Sequence, residues 1–297
     1  MNPPTAVIDI QNLGFAYGNA EAVHDLSLRV LPGRCYGLFG RNGAGKTTTM
    51  KCLLNLLRPQ RGQVRVFGLD PAQAEVAVKR RLAYVPDQVA FYPWMSVRET
   101  LDYLASFRER WNHKKEQELF ERFRLDPTKR TRALSKGQRT QLALMAAICP
   151  ETDMLVLDEP TSGLDPIVRR GFIETVIGAY QEGNLANRTI LVSTHLITEF
   201  EGLIDEFTIM DQGVSVLTLE ADEARTRYQR IRARFAQEPP ELDFHSALRV
   251  RREGREVELV VNGSGPELLA RLRKLNPEAL STEALTLEEI FVEALKS

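Results

Sequence analysis

The sequence predicts an α/β fold: a mostly parallel sheet wrapped by helices, with an antiparallel β-subdomain before it and a small α+β appendage after it. Three observations lead there. Short apolar runs alternate with helical periodicities through the middle of the chain, as parallel strands joined by crossover helices do. Ahead of them, two segments alternate apolar and polar residues, the pattern of half-buried antiparallel strands. Beyond about Leu219 the chain becomes charge-rich and changes character. These shifts divide it into a core domain over 1–218, containing a helical subdomain near 88–150, and a small domain over 219–297.

Taken in order, "AVIDIQNLGFAYG" and "AVHDLSLRVLPG" read as the antiparallel strands, and "RCYGLFG" as a buried strand running into glycines. "MKCLLNLLRPQRG" reads as a helix halted by Pro59 and Gly62, followed by the strand "QVRVFG". Ser96 and Glu99 form a capping box for a helix over Val97 to Trp111, with Val97, Leu101, Leu104 and Trp111 on one face. The charged "RERWNHKKEQELFERF" is most simply the solvated side of another helix. Helices over Gly137 to Ile148 and Val168 to Tyr180 then alternate with the strands "DMLVLD" and "RTILVST", and "FTIMDQGVSVLTLE" reads as two strands turning at Asp211 to Gly213. In the appendage, "QEPPELD" resembles a loop, "REGREVELVV" a hairpin around Gly254, and "PELLARLRKL" an amphipathic helix. A capping box at Thr286 and Glu289 opens a last helix whose apolar face holds Leu287, Ile290, Phe291, Ala294 and Leu295.

Bulk properties exclude several classes. The 297 residues suffice for one large domain, or for one of about 200 residues and a smaller one. A composition 43% hydrophobic and 27% charged, with net charge −1, gives no overall pull toward nucleic acid or acidic membrane, so a polyanion has to be handled by local sites. No apolar run approaches the roughly 20 residues that span a bilayer. The start "MNPPTAVIDI" lacks a secretory pattern, and a cytosolic location is expected. Cys35, Cys52 and Cys149 sit singly in apolar settings, without metal-ligand spacing, and read as buried free thiols. No internal repeat or low-complexity tract is present.

Chemistry enters with "GRNGAGKTT", which matches G-x-x-x-x-G-K-[ST] after a buried strand and before a helix. Glycines let the backbone of Gly40, Arg41, Asn42, Gly43, Ala44 and Gly45 wrap a triphosphate with N–H groups inward, and the helix through Thr48 adds its positive end. Lys46 can reach the β- and γ-phosphates, and Thr47 offers a hydroxyl to Mg²⁺. A plain glycine-rich turn would account for Gly43 and Gly45, but not for Lys46 and Thr47. "MLVLDEP" ends a buried strand in two acids: Asp158, placed to hold Mg²⁺ through water, and Glu159, a general base for an attacking water. A strand end merely meeting solvent is the blander reading, but an acid pair downstream of a phosphate loop is what hydrolysis needs. His195 closes another strand, where a histidine is more often structural; beside the other parts it becomes a donor to the γ-phosphate that orients the base. Tyr17 offers a ring for an adenine, although a strand-end aromatic is usually packing. In "LSKGQ", Ser135 and the amides near Gly137 and Gln138 open a helix and form an anion site without a ligand nearby in sequence, the plainer reading being a simple N-cap.

With "LSKGQ" in place, the chain resembles the nucleotide-binding subunit of ATP-binding cassette (ABC) transporters. The resemblance spans roughly Val7 to Thr218 and carries the family's motifs in order: Tyr17, the P-loop from Gly40 to Thr47, the signature Leu134 to Gln138, Asp158 with Glu159, "SGLD" at Ser162 to Asp165, and His195. It implies a P-loop ATPase core with ATP and Mg²⁺ as cofactors. It also implies that Ser135, Gly137, Gln138 and Asp165 serve the ATP held by a second cassette, so that two ATP molecules lie between two head-to-tail chains, with a homodimer as the simplest pairing. The activity implied is ATP hydrolysis that drives export through a separate integral membrane permease, with the chain peripheral on the inner face of the cell membrane.

Two positions depart from the family pattern. Lys136 stands where glycine is commonest in the signature, and the loop that normally presents a glutamine to Mg²⁺ reads "YVPDQVAFYP", leaving Asp87 or Gln88 as the ligand. The segment through "FYPWMSVRETL" is expected to form a groove for the permease's coupling helix, with Phe91, Tyr92 and Trp94 either lining it or packing within the helical subdomain. "LTLEEIFVEAL" looks like the ending of subunits that pair with ABC-2-type permeases, so the resemblance is to the ABC-2 or export type. The alternative is a non-transport ABC ATPase acting on ribosomes or DNA. It is disfavoured by a single uninterrupted cassette and near-zero net charge. A binding-only cassette is opposed by the intact Glu159 and His195.

Overall fold

The computed structural model describes residues 5–181, 188–239 and 244–296. The chain divides into two compact units, Met1–Val216 and Leu217–Ser297.

In the first unit, β1 (Ile8–Tyr17) and β2 (Ala20–Val30) form an antiparallel pair. The buried β3 (Cys35–Gly40) leads through a glycine-rich loop into α1 (Lys46–Leu53), and β4 (Arg61–Val66) returns antiparallel to β1. Next come α2 (Glu75–Arg81), β5 (Leu82–Val85), α3 (Val97–Ala105), α4 (His113–Phe123) and α5 (Lys136–Ile148). The unit is completed by β6 (Met154–Asp158), α6 (Pro166–Gln181), β7 (Thr189–Thr194), a short α7 (Ile197–Phe200), β8 (Glu206–Asp211) and β9 (Val214–Glu220). Two sheets result, one ordered β2-β1-β4 and one ordered β5-β6-β7-β3-β8-β9. The pairs β5–β6, β6–β7, β7–β3 and β3–β8 are all parallel. Every residue of β3, β6 and β7 is buried, as strands covered on both faces require. Gln212 and Gly213 both take positive φ, 45° and 84°, and that pairing makes the tight turn into β9.

The helix expected to run through "LLNLLRPQRG" stops at Leu53, because Asn55 adopts a left-handed φ of 55° well before Pro59. The Ser96–Glu99 capping box is formed, but its helix ends at Ala105 and leaves Trp111 outside. Ser106 Oγ turns back to donate to the Tyr103 carbonyl (2.6 Å), and Asn112 starts a new helix by accepting from the Lys115 amide (2.8 Å). That new helix is not merely solvated: Glu116, Leu119, Phe120 and Phe123 are buried. Buried Glu116 accepts from Trp111 Nε1 at 2.6 Å and pairs with Arg98, which fixes α3 against α4.

The second unit comprises α8 (Ala221–Arg227), β10 (Tyr228–Arg234), β11 (Ala247–Glu253), β12 (Glu256–Asn262), α9 (Gly265–Arg273), β13 (Ala279–Ala284) and α10 (Leu287–Ala294). Its antiparallel sheet is ordered β11-β12-β10-β13. Ile231, Ala233, Val257, Leu259 and Val261 face Leu268 and Leu272 of α9 to form its core. The hairpin around Gly254 and the capping box at Thr286 are present, whereas β10 and β13 were not expected. The end of the "QEPPELD" loop lies outside the described residues. In α10, Leu287 and Ile290 are buried together with Glu293, while Phe291, Ala294 and Leu295 are only partly covered.

Candidate active site

Strand order gathers the chemistry. β3 lies beside β7, and β7 beside β6, all parallel. Their carboxyl ends therefore deliver the glycine-rich loop, His195 and the pair Asp158 and Glu159 to one edge of the sheet, where open α/β sheets bind ligands.

The loop conformation depends on glycine at particular points. Gly45 has φ 99°, and a Cβ there would lie 2.4 Å from the Ala22 carbonyl oxygen. Gly43 has φ 85° with open space around it, and a Cβ at Gly40 would meet the Met210 carbonyl at 2.7 Å. The loop is clamped by Ala44, whose amide donates to the Arg41 carbonyl (3.1 Å) and whose carbonyl accepts from Gly213 (3.2 Å). Arg41, Asn42 and Gly43 stay exposed, while Thr48 is buried in the first turn of α1.

Lys46 is only 4% exposed. Its ammonium donates to the carbonyls of Gly40 (2.7 Å) and Arg41 (3.2 Å) and lies 2.9 Å from Glu159 Oε1. That ion contact is not aligned as a hydrogen bond, since Glu159 Oε1 has no hydrogen-bond donor among the described residues. The other carboxylate oxygen of Glu159 meets His195 Nδ1 at 2.8 Å. Glu159 thus bridges Lys46 and His195. Its φ of 45° is rare for a residue with a Cβ, and such strain persists where surrounding structure enforces it.

Asp158 is wholly buried and held by hydroxyls. Ser193 donates to Oδ1 at 2.8 Å and Thr47 at 3.1 Å, and Tyr84 donates to Oδ2 at 3.4 Å. Burial pushes the Asp158 carboxyl above its ordinary value; the Ser193 and Thr47 hydrogen bonds oppose this, and the charges of Glu159 and Asp87 add to it. A buried carboxylate against a threonine hydroxyl, with hydroxyls rather than a cation as its hydrogen-bond partners, suits a hard dication. Mg²⁺ is commonly held by one or two such oxygens plus substrate phosphates and water. No group of three or more His, Cys, Asp or Glu arranged for a metal occurs among the described residues, so an all-protein cage is not on offer.

The remaining candidates are placed as follows. Asp87 is half-buried and close enough for its charge to act on Asp158, whereas Gln88 is exposed. Tyr17 is 49% exposed and packs edge-on against Phe15, with ring centroids 4.9 Å apart. Ser135 caps its own helix in a capping box with Gln138: its Oγ accepts from the Gln138 amide at 3.2 Å, which leaves its hydroxyl proton free to donate elsewhere. Asp165 Oδ1 accepts from the amides of Ile167 and Val168, both at 3.0 Å, and so caps α6. Lys136 lies over Gly163, its Nζ 2.9 Å from where a Cβ would stand. Gly137 packs against Val168, which would sit 3.2 Å from a Cβ there. Lys46, Thr47, Asp158, Glu159 and His195 therefore form one network. Tyr17, Ser135, Gly137, Gln138 and Asp165 have no hydrogen bond to it among the described residues.

Sequence reasoning missed Ser193 and Tyr84. Ser193 carried a signal, being a hydroxyl in an otherwise apolar buried strand; Tyr84 carried none, because its contact depends on β5 lying next to β6. Beside Tyr84 a groove of about 560 Å³ is lined by Ala83, Pro86, Val89, Phe91 and the alanines of α5. Of the three aromatics expected there, Phe91 lines it, while exposed Tyr92 and Trp94 pack on each other with centroids 5.0 Å apart.

The family model described as "ABC transporter" matches residues 23–162. The chain is 36% identical over 216 residues to the Nod factor export ATP-binding protein I of Burkholderia lata, covering 71% of this chain and 69% of that one. It is 25% identical over 292 residues to the ABC transporter ATP-binding protein YtrB of Bacillus subtilis, covering 96% and 97%. Among solved structures it is similar to an ATP-binding subunit of an ABC transporter, with a TM-score of 0.66 and 26% identity, covering 74% of this chain and 92% of that one.

Proposed function

Because the chain belongs to the ATP-binding subunits of ABC transporters, and is an ATPase of that family, we propose that it powers export of a substrate through a separate ABC-2-type permease by ATP-driven closure of a homodimer. The observation that carries the reading is the bridge of Glu159 between Lys46 and His195. It puts a carboxylate suited to a base beside a cation suited to phosphate and a histidine suited to a γ-phosphate donor.

The roles follow from the contacts. ATP entering the loop draws Lys46 from the Gly40 and Arg41 carbonyls toward its phosphates, and Glu159, released from Lys46, accepts a proton from the attacking water. His195 holds Glu159 in place and donates toward the γ-phosphate. Thr47 and Asp158 are the residues that would hold Mg²⁺, with Asp87 better placed than Gln88 to join them. Bound there, the cation neutralises charge on the phosphate oxygens. Ser135, exposed and unused by its own chain's site, completes with the first amides of α5 the site of a second copy, with Asp165 and Lys136 beside them. Tyr17 is free to take an adenine on its exposed face.

Of the structural neighbours, one is a dimeric ABC transporter cassette and another is part of a transporter complex, and no helix among the described residues is long and apolar enough to cross a membrane. The groove beside Tyr84 is where the permease's coupling segment would dock, holding the chain at the inner face of the membrane. Export of an ABC-2 kind is supported by the transport role in the Nod factor relative's name and by the "LTLEEIFVEAL" ending. The test is Mg²⁺-dependent ATP hydrolysis by the purified chain and its Glu159→Gln variant. Hydrolysis falls in the variant while ATP binding persists; turnover that survives Glu159→Gln removes the assigned base.

A further inference from the structure

Asp158 is held on its two oxygens from different directions. Thr47, from the phosphate-loop helix, and Ser193, from β7, both donate to Oδ1. The donor on Oδ2 is the Tyr84 phenol. Tyr84 stands in register with Val156 of β6. Its hydroxyl reaches two residues further along that strand, roughly 6.6 Å, to the side chain that shares the face of Val156. The same residue lines the groove, with Pro86 and Val89. One residue thus both lines the groove and sets its hydroxyl on the buried carboxylate.

We propose that Tyr84 is a positioning residue that fixes the Asp158 carboxylate and carries the state of the groove to it, so that a permease segment seated against the Tyr84 ring changes how Asp158 holds its cation. The proposal rests on the reading above, in which Asp158 binds Mg²⁺ and the groove receives the permease. With Oδ1 held by Thr47 and Ser193, the carboxylate plane is set by what Oδ2 meets. At 3.4 Å that hydrogen bond is long, and contacts of this kind tighten when a site is loaded. Displacing the ring by a few tenths of an ångström lengthens or shortens it directly. Asp87, three residues along from Tyr84, lies on the same segment, and its charge already acts on Asp158.

The test is calorimetric binding of a non-hydrolysable ATP analogue with and without Mg²⁺, the ratio of the two affinities being the metal-dependent gain. Asp158→Asn abolishes the gain. Tyr84→Phe, which keeps the ring, lowers it about three- to tenfold, as loss of one hydrogen bond of ordinary strength does, and leaves the metal-free affinity unchanged. The groove is then filled chemically: Val76→Cys, on its exposed rim, is labelled with a bulky maleimide. Cys35, Cys52 and Cys149 are buried and stay unlabelled. The label shifts the gain at least threefold when Tyr84 is present and leaves it unchanged in Tyr84→Phe. If Asp158→Asn keeps the gain, the cation reading itself fails. If Asp158→Asn loses it and Tyr84→Phe does not, Tyr84 positions nothing. A label that changes both backgrounds equally, or neither, overturns the transmission.

Discussion

Gly45→Ala tests the loop geometry with a magnitude that can be worked out in advance. At φ 99° an L-residue is strained, which costs about 1–2 kcal/mol. The new methyl would also lie 2.4 Å from the Ala22 carbonyl, inside any normal contact, and relieving that overlap by moving backbone costs about 1–3 kcal/mol more. The free loop escapes both by relaxing away from the conformation that cradles phosphate, so ATP has to restore it on binding. The sum, about 2–5 kcal/mol, predicts an affinity loss of roughly 30- to 5,000-fold. Gly43→Ala is the control, since its φ is 85° but its surroundings are open. Only the conformational part applies, and the loss is roughly 5- to 30-fold. Calorimetric titration with a non-hydrolysable ATP analogue reads both, and thermal melts followed by circular dichroism confirm that each variant is folded. Equal losses in the two variants, or a Gly45→Ala protein within threefold of the parent, would refute the reasoning.

Three further predictions follow from the same contacts. His195→Ala removes the group that holds Glu159 and lowers kcat by about 10²–10³ with little change in KM, measured by steady-state hydrolysis. Arg98→Leu strands the Glu116 carboxylate, 5% exposed, with Trp111 as its remaining donor; a loss of about 3 kcal/mol in urea unfolding is expected, part of it recovered in the double variant with Glu116→Leu. Burial pushes the Cys149 thiol up to about 12 and the Cys52 thiol up to about 11, so folding favours the protonated form. That stabilisation is complete below the unfolded value near 9.0 and is lost as pH rises toward 11 and 12; the urea midpoint therefore falls between pH 8 and pH 10.5, and falls less in Cys149→Ala.

The strands of the parallel sheet were legible because a strand buried on both faces is a short continuous apolar run, as "MLVLD" is. Helix starts were legible where a side chain caps them, at Ser96, Ser135 and Thr286. Helix ends were not, since Asn55 and Ser106 stop their helices without proline or glycine. α2 was invisible for a related reason: its N-cap is Ala74, with no side-chain hydrogen bond, and it passes into β5 without a breaker at Arg81. In the second unit, β13 is an edge strand with almost every residue exposed, so it carries no apolar pattern to read. At the site, motif spacing indicated Lys46, Asp158, Glu159 and His195 one by one. That Glu159 joins Lys46 to His195, and that Tyr84 reaches Asp158, depends on which strands lie side by side, a property of the sheet that no local pattern contains.

The central claim is that the helix opening at Ser135 completes the nucleotide site of a second copy. Light scattering after size-exclusion chromatography of Glu159→Gln, with and without ATP, tests it most directly, with Ser135→Arg added to the same background as a blocked control. The account predicts a monomer without ATP, a dimer with it, and a monomer that still binds ATP in the control. A protein that binds ATP and stays monomeric, or a dimer that forms equally well with Ser135→Arg, would contradict it.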